Sequence, residues 1–395
     1  MASSIMGRSA EMAVRSLVAP GILAARWLTR SPDDAAGDVP RPVPSVGLTA
    51  KVLLDELFLA VELISAEVVS FRDRDRLATE VHAALDLYQR EGWLDDPEPF
   101  HGTPPALGPG DVEIARPGTR GFRHLRFESA YAPHPGEPGR ERWLAHEANR
   151  TAHAWILEHP GAPRPWLVCI PGYRMGHPLV DFTGFPARWL HQGLGLNVAI
   201  PVMPLHGPRT TAGRRSGDGF LTGDYIDTIH LQTQAVWDIR RLFTWLRTRG
   251  EPPVGIYGVS LGGCTTALLA SLEGDLACAI AGMPATCYVD LARQVLPDVL
   301  LRLGGWVGLH WDAIERLVRV ISPFALRPRV PRERRFLFGG AVDRLVQPAG
   351  VRALWEHWER PRLEWYAGSH VSFGWETEVG SLLAEALDAT GLTAA

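Results

Sequence analysis

An apolar run that stops on a serine between glycines restricts the fold of this chain more than any other feature. The segment PVGIYGVSLGGCTT (residues 253–266) has glycine, serine and glycine at alternate positions, namely Gly258, Ser260 and Gly262. Apolar residues on both sides predict a strand before the serine and a helix after it. Glycines at these positions let neighbouring backbone pass without a Cβ clash, so that the serine can occupy a sharp, strained turn. The pattern predicts an exposed serine hydroxyl beside a helix N-terminus; a purely structural glycine-rich turn is the alternative.

The sequence around this turn predicts a central sheet. Two segments with alternating polarity, residues 123–131 and 151–159, predict antiparallel strands. Short, continuous apolar runs follow, and such runs are typical of strands that are covered on both faces. These runs are residues 165–172, 196–203, 253–260, 276–283, 334–343 and 362–370. Helical spacing separates several of them, notably at 226–249 and 261–273, which favours a mostly parallel α/β sheet with helices on both faces.

The N-terminal part of the chain differs from the rest. Residues 1–110 are predicted to form a helical extension with Pro-rich linkers, and residues 111–395 the main domain. Within the extension, one stripe of a predicted helix is apolar and consists of Leu53, Leu54, Leu57, Phe58, Val61 and Ile64. The apolar stretch 16–25 is shorter than the roughly 20 residues that cross a bilayer. We interpret it as a helix packed on the domain, with peripheral contact to a membrane surface as the alternative.

Charge and cysteine content exclude some classes of partner. The net charge is −4, from 40 basic and 44 acidic residues, which predicts no nucleic-acid partner. The four cysteines lack the spacing of a metal site and are interpreted as reduced, buried thiols of a cytoplasmic protein. No metal is therefore expected.

A serine hydroxyl needs a base to take its proton and a third group to orient that base. His370 ends the predicted strand segment 362–370, and Asp343 ends the preceding one, whereas His357 falls within a predicted helix. We therefore predict that Asp343 orients His370 and that His370 activates Ser260. Other acids between serine and histidine, in predicted helical segments, are Asp290, Asp298 and Asp312.

With this order of serine, acid and histidine, residues 121–392 resemble the serine hydrolases of the α/β-hydrolase fold, and in particular their esterase- and lipase-like members. The resemblance implies an oxyanion hole that includes the backbone N–H of Leu261. The second donor is expected in the loop after strand 165–172, and we assign it to the N–H of Tyr173.

Further residues of the same region are candidates for contact with substrate. His177 follows the predicted oxyanion loop and either faces the substrate pocket or starts a helix. The loop 204–220 contributes His206, Arg209 and Asp218. A solvated loop held by its own hydrogen bonds is the alternative interpretation for these three residues. Residues 285–330 are longer than one crossover helix requires and predict a helical lid, including helices at 288–303 and 311–321.

The predicted activity is hydrolysis of carboxylic acyl esters, with a small-molecule or lipid ester as substrate and no cofactor. A thioesterase or a serine peptidase would use the same triad and oxyanion hole. A hydrolase-fold protein that binds ligands without catalysis is the alternative outside the enzyme class.

Overall fold

A mixed sheet forms the centre of the computed structural model, which describes residues 39–65, 73–115, 121–220, 222–289, 291 and 310–393. Within these residues, nine strands lie in the order β1-β2-β3-β5-β4-β6-β7-β8-β9. Their bounds are β1 Val112–Ile114, β2 Arg123–Glu128, β3 Thr151–Leu157, β4 Trp166–Ile170, β5 Asn197–Pro201, β6 Val254–Val259, β7 Ala279–Gly282, β8 Arg335–Gly340 and β9 Arg362–Tyr366.

The sheet is antiparallel at one side and parallel elsewhere. The pairs β1–β2, β2–β3 and β3–β5 are antiparallel, whereas the pairs from β5–β4 through β8–β9 are parallel. Every residue of β4, β5, β6, β7 and β8 is buried, because helices cover both faces of the sheet. The predicted mostly parallel sheet, with an antiparallel pair leading into it, is confirmed. The short strand β1 precedes the first predicted strand, and the sequence analysis predicts no strand at its position.

The helices follow the predicted alternation with the strands. Every residue of the helix directly after Ser260 is buried, and this helix packs on β6 and β7. The helices are α1 Val46–Ser65, α2 Arg74–Arg90, α3 Arg140–Leu144, α4 Pro178–Gly184, α5 Tyr225–Arg247, α6 Leu261–Leu272, α7 Trp311–Leu317, α8 Pro348–His357 and α9 Thr377–Ala389.

Helix α1 leaves most of its apolar stripe exposed and buries the polar residues Asp55 and Glu56 together with Leu59. Leu53, Leu57 and Val61 are exposed, with 54%, 61% and 46% of their surface accessible. Asp55, in contrast, is completely buried. The helix lies against residues 371–375, which follow β9. A polar residue that is buried in this way must have hydrogen-bond partners, and these belong to the candidate active site.

Two predicted elements lie outside the described residues: the apolar stretch 16–25 and most of the lid helix 288–303. The helix predicted at 311–321 is present as α7, followed by a 3-10 turn at Val318–Ile321. In the ranges given above, no helix combines the length and the apolarity needed to cross a membrane.

Candidate active site

Ser260 occupies a sharp turn between β6 and α6. Its backbone angles are φ 56° and ψ −116°, a region that residues other than glycine rarely adopt. The turn is held by its neighbours, because the N–H of Ser260 donates to the oxygen of Gly282 at 2.9 Å. The carbonyl oxygen of Ser260 accepts from the N–H groups of Cys264 and Ala285, both at 3.0 Å. This strained conformation is therefore fixed by the end of β7 and by the first turn of α6.

The two glycines of the motif are required by close backbone contacts. A Cβ atom on Gly258 would lie 2.1 Å from the carbonyl oxygen of Gly262. A Cβ atom on Gly262 would lie 2.0 Å from the carbonyl oxygen of Ile170 in β4. Both distances are far below van der Waals contact, so any side chain at either position would push the turn away from the sheet.

Asp343 and His370 are in contact. Asp343 lies in the loop after β8 (residues 341–347), and His370 in the loop after β9 (residues 367–376). The Nδ1 atom of His370 lies 2.8 Å from Oδ2 of Asp343. The other carboxylate oxygen, Oδ1, accepts the N–H groups of Leu345 and Val346 at 2.8 Å each. Because an ionised carboxylate only accepts hydrogen bonds, Nδ1 of His370 is the donor and Nε2 is left to accept a proton.

The surroundings of His370 favour its protonated form. Burial lowers the pKa of His370, but the carboxylates of Asp343 and Asp55 outweigh burial and raise this pKa above its usual value. A histidine in this environment is a stronger base than a free imidazole.

Ser260 lies at the same edge of the sheet as this pair, since β6, β8 and β9 are parallel and all three residues follow the carboxyl ends of these strands. Within the described residues, however, no hydrogen bond joins the hydroxyl of Ser260 to His370. Of the other candidate acids, Asp312 is exposed on α7, and Asp290 and Asp298 lie outside the described residues.

The predicted oxyanion loop, the loop after β4 (residues 171–177), lies against the serine turn. A Cβ atom on Gly172 would lie 3.3 Å from Cβ of Ser260. Among the hydrogen bonds of the described chain, the N–H groups of Leu261 and Tyr173 have no acceptor within the protein. The N–H of Leu261 belongs to the first turn of α6, where the helix dipole favours negative charge.

Side chains from three other segments hold the loop after β4. The hydroxyl of Tyr173 donates to Oε2 of Glu62 on α1 at 2.9 Å. Arg174, whose φ is 69°, donates to Glu62 at 2.7 Å and to Asp218 at 2.6 Å. The N–H of Gly176 donates to Oδ1 of Asp181 at 2.8 Å. Asp218 is thereby engaged with Arg174 of the loop after β4, and within its own loop it accepts the N–H of Arg215 at 2.8 Å.

The two histidines predicted near the substrate differ in exposure. His177 is exposed and directly precedes α4, without a side-chain capping hydrogen bond. His206 is fully buried; its Nδ1 atom lies 2.8 Å from the oxygen of Pro204. Burial lowers the pKa of His206 to about 4, so the ring is neutral at neutral pH. Its Nε2 atom has no partner in the part of the chain that the structure describes.

Arg209 lies in the protein interior rather than at the candidate active site. Its guanidinium is 2.8 Å from Oδ2 of Asp238 and donates to the carbonyl oxygens of Val202 and Asn149, both at 3.0 Å. Arg209 and Asp238 line a small cavity that does not include Ser260 or His370. The predicted contact of Arg209 with substrate is therefore replaced by a structural role: a buried arginine that binds two carbonyl groups of the backbone.

One residue of the candidate site is absent from the sequence prediction. Asp55 on α1 accepts the N–H groups of Arg344 and His370 on Oδ2, at 3.0 and 2.9 Å. Its Oδ1 atom accepts the N–H of Val371 at 2.9 Å. Asp55 stands beside an apolar stripe in the sequence, and helical periodicity does not show which side of such a helix is covered. Within the described residues, no group of three or more His, Cys, Asp or Glu side chains is arranged to hold a metal ion.

No model of a known protein family matches the chain. Two curated relatives from Mycobacterium tuberculosis, named uncharacterized protein Rv2627c and uncharacterized protein MT2702, are each 40% identical to it over 376 residues. The matched region covers 93% of this chain and 87% of each relative.

Among solved structures, acetyl xylan esterase 1 from Thermoanaerobacterium sp. is similar to this chain, with a TM-score of 0.51 and 15% sequence identity. The match covers 84% of this chain and 96% of the esterase. At this identity the likeness shows the fold alone. Together with the sheet order, it confirms the α/β-hydrolase fold that the sequence predicts.

Proposed function

We propose that this chain, which belongs to the same family as the mycobacterial protein Rv2627c and has the α/β-hydrolase fold, is a serine hydrolase that cleaves carboxylic acyl esters. The observation that carries the proposal is the 2.8 Å contact of His370 Nδ1 with Asp343 at the edge of the sheet where Ser260 forms its strained turn. Nucleophilic serines of this fold occupy such a turn, with the base on a loop after a later strand.

In the proposed reaction, Oγ of Ser260 attacks the ester carbonyl carbon and its proton passes to Nε2 of His370. Asp343 stabilises the imidazolium that forms. His370 then donates the proton to the leaving alcohol, so that the alcohol departs and an acyl-serine remains. Water repeats the sequence on the acyl-serine and releases the carboxylic acid. The hydroxyl of Ser260 must come within hydrogen-bond reach of Nε2 in the substrate complex, and such contacts are often long before substrate binds.

The negative charge that develops on the carbonyl oxygen requires donors that are already in place. The N–H of Leu261 and the N–H of Tyr173 are proposed for this role, because neither has an acceptor within the described protein. A missing oxyanion donor costs about 10²–10³ in kcat in other serine hydrolases. The hydrogen bonds from Tyr173 and Arg174 to Glu62 support the second donor by fixing the loop after β4.

A fluorophosphonate probe tests the proposed nucleophile directly, because it reacts with an activated serine. Wild-type protein should be labelled, and Ser260→Ala should not. Ser271→Ala is the matched control: Ser271 lies near the end of α6, the helix that follows Ser260, and its hydroxyl donates to the oxygen of Ala267. This control should be labelled at the wild-type rate.

Comparison of p-nitrophenyl esters, acyl thioesters and peptide amides then tests the substrate class. Carboxylic esters should give the highest kcat/KM. Absence of labelling of the wild-type protein, or equal labelling of Ser260→Ala, would contradict a serine hydrolase and favour a binding protein. Labelling combined with a preference for thioesters or amides would contradict the ester assignment alone.

A further inference from the structure

We propose that Asp55 of helix α1 is a positioning residue for His370, and that α1 holds the loops of the active site in their competent arrangement. The inference rests on the proposed function, since it assigns a role within the same site. It extends the site to a helix that lies far from the catalytic residues in sequence.

The contacts of Asp55 join two loops. Its Oδ2 atom accepts the N–H of Arg344, next to Asp343, and the N–H of His370 itself. Its Oδ1 atom accepts the N–H of Val371. Asp55 therefore fixes the backbone on which each member of the Asp343–His370 pair is carried. A shift of either loop would change the distance between the carboxylate and the imidazole.

A carboxylate is suited to this position because three N–H donors converge on two oxygens. No other common side chain of this size offers acceptors alone. Asp55 is completely buried, so an N–H that lost its acceptor here would not be compensated by bulk water. An asparagine would turn its own NH₂ group toward at least one of the three donors.

Other residues of α1 bind the same loops and a third one. The ammonium of Lys51 is 2.7 Å from Glu376 and donates to the oxygen of Ala367, both in the loop after β9. Glu56 lies 3.1 Å from the guanidinium of Arg344 in the loop after β8.

Glu62 extends these contacts to the loop after β4, through its bonds with Tyr173 and Arg174. One helix thus contacts the segments that carry the proposed acid, the proposed base and a proposed oxyanion donor. A shift of α1 would therefore displace the proposed acid, the proposed base and the proposed oxyanion donor.

Asp55 also contributes to the electrostatics of His370. In the part of the chain that the structure describes, the carboxylates of Asp343 and Asp55 act on the imidazole, and both raise the pKa of His370 against the effect of burial. Nearby Tyr366 donates its hydroxyl to the oxygen of Ser369, and burial keeps its pKa well above the usual value, so it is neutral. Glu376 is engaged by Lys51 and by the hydroxyl of Ser372. Removal of the Asp55 charge should therefore lower the pKa of His370, which a purely structural role would not do.

The test uses the full-length variants Asp55→Asn and Asp55→Ala, with kcat, KM and the pH profile of kcat/KM for a p-nitrophenyl ester. We expect kcat to fall about tenfold or more with a smaller change in KM, because misplacement of a catalytic group lowers the rate of the chemical step. The acid limb of the profile should move to lower pH.

Asp238→Asn is the matched control, since Asp238 is a buried aspartate on α5 that binds Ser129 and Arg209. It should lower the melting temperature but leave the acid limb in place. Wild-type kcat and an unmoved acid limb in folded Asp55 variants would overturn the inference, whereas an inactive, unlabelled wild-type protein would instead overturn the proposed function.

Glu62→Gln provides a test that does not depend on the folding of the Asp55 variants. Glutamine keeps an acceptor for Tyr173 but removes the ion pair with Arg174 at the half-buried surface of α1. We expect kcat to fall severalfold, with a melting temperature close to that of the wild type. Unchanged kcat in Glu62→Gln would contradict the coupling of α1 to the loop after β4.

Discussion

The imidazole of His370 is oriented by a carboxylate whose second oxygen is also fixed: Oδ2 of Asp343 lies 2.8 Å from Nδ1, while Oδ1 accepts the N–H groups of Leu345 and Val346. The carboxylate cannot rotate without breaking these two bonds. The direction of the imidazole is therefore set by the backbone of the loop after β8, and the ring must carry its proton on Nδ1.

The substitution Asp343→Asn should lower kcat by about 10³-fold or more. The N–H groups of Leu345 and Val346 require an acceptor, so the amide oxygen would face them and the NH₂ group would face Nδ1 of His370. The imidazole would then carry its proton on Nε2 and could not accept one from Ser260. The measurement is kcat for a p-nitrophenyl ester, with Asp312→Asn on the exposed side of α7 as the control. Wild-type turnover in Asp343→Asn would mean that another group orients the base.

The rate should depend on pH through His370. The pKa of His370 is raised above its usual 6.5, and the base must be unprotonated to react. We expect kcat/KM to fall at acid pH with a midpoint above 6.5, tenfold per unit well below it. The effect of pH on folding stability has the opposite sign. Protonated His370 contributes fully to stability below pH 6.5, and this contribution is lost as pH rises through the raised pKa. A midpoint at or below 6.5 in a pH series would contradict this environment.

A methyl group at position 262 should disrupt the serine turn. In Gly262→Ala the new Cβ would meet the carbonyl oxygen of Ile170 at 2.0 Å, and backbone atoms cannot move aside as a flexible side chain can. We expect a loss of about 3 kcal/mol or more in the free energy of unfolding, or failure to fold. Gly350→Ala on α8 is the control, because nothing lies within 4 Å of its added Cβ. This control should stabilise the protein by about 0.5–1 kcal/mol. Equal stability of the two variants, measured by urea unfolding, would contradict the tight contact.

The buried carboxyl of Asp181 should make the free energy of unfolding depend on pH. Burial raises its pKa from 3.8 to about 6, against the effect of the donors Gly176 N–H and Trp155 Nε1. The folded state binds more protons than the unfolded state between these values, so stability should fall as pH rises from about 4 to 6 and level off above, by about 3 kcal/mol at most. Asp181→Asn should remove this slope. Urea unfolding at several pH values measures the slope of the free energy of unfolding against pH. An unchanged slope in Asp181→Asn would mean that another group causes the pH dependence.

The sequence predicts the fold well because the relevant signals are local. The apolar runs that became β4 to β8 are continuous, and such continuity is a direct consequence of helices on both faces. The turn at Ser260 is predicted equally well, because the close contacts at positions 258 and 262 leave no room for a Cβ atom and so require Gly258 and Gly262.

The features that the sequence does not predict depend on contacts between residues that are far apart in the chain. The burial of Asp55 follows from N–H groups of the loops after β8 and β9, and no pattern within α1 contains that information. The interior position of Arg209 likewise depends on Asp238 in α5 and on carbonyl groups from two other segments. The sequence alone does not distinguish a polar loop residue that contacts a substrate from one that binds a buried carboxylate.

The hydrogen bond from the backbone of His370 to Asp55 joins residues 315 positions apart. During synthesis α1 leaves the ribosome well before the loops whose backbone groups it binds. A partly made chain can complete its serine turn but not this contact. The backbone support of His370 should therefore form only after α1, the loop after β8 and the loop after β9 are all available to fold together.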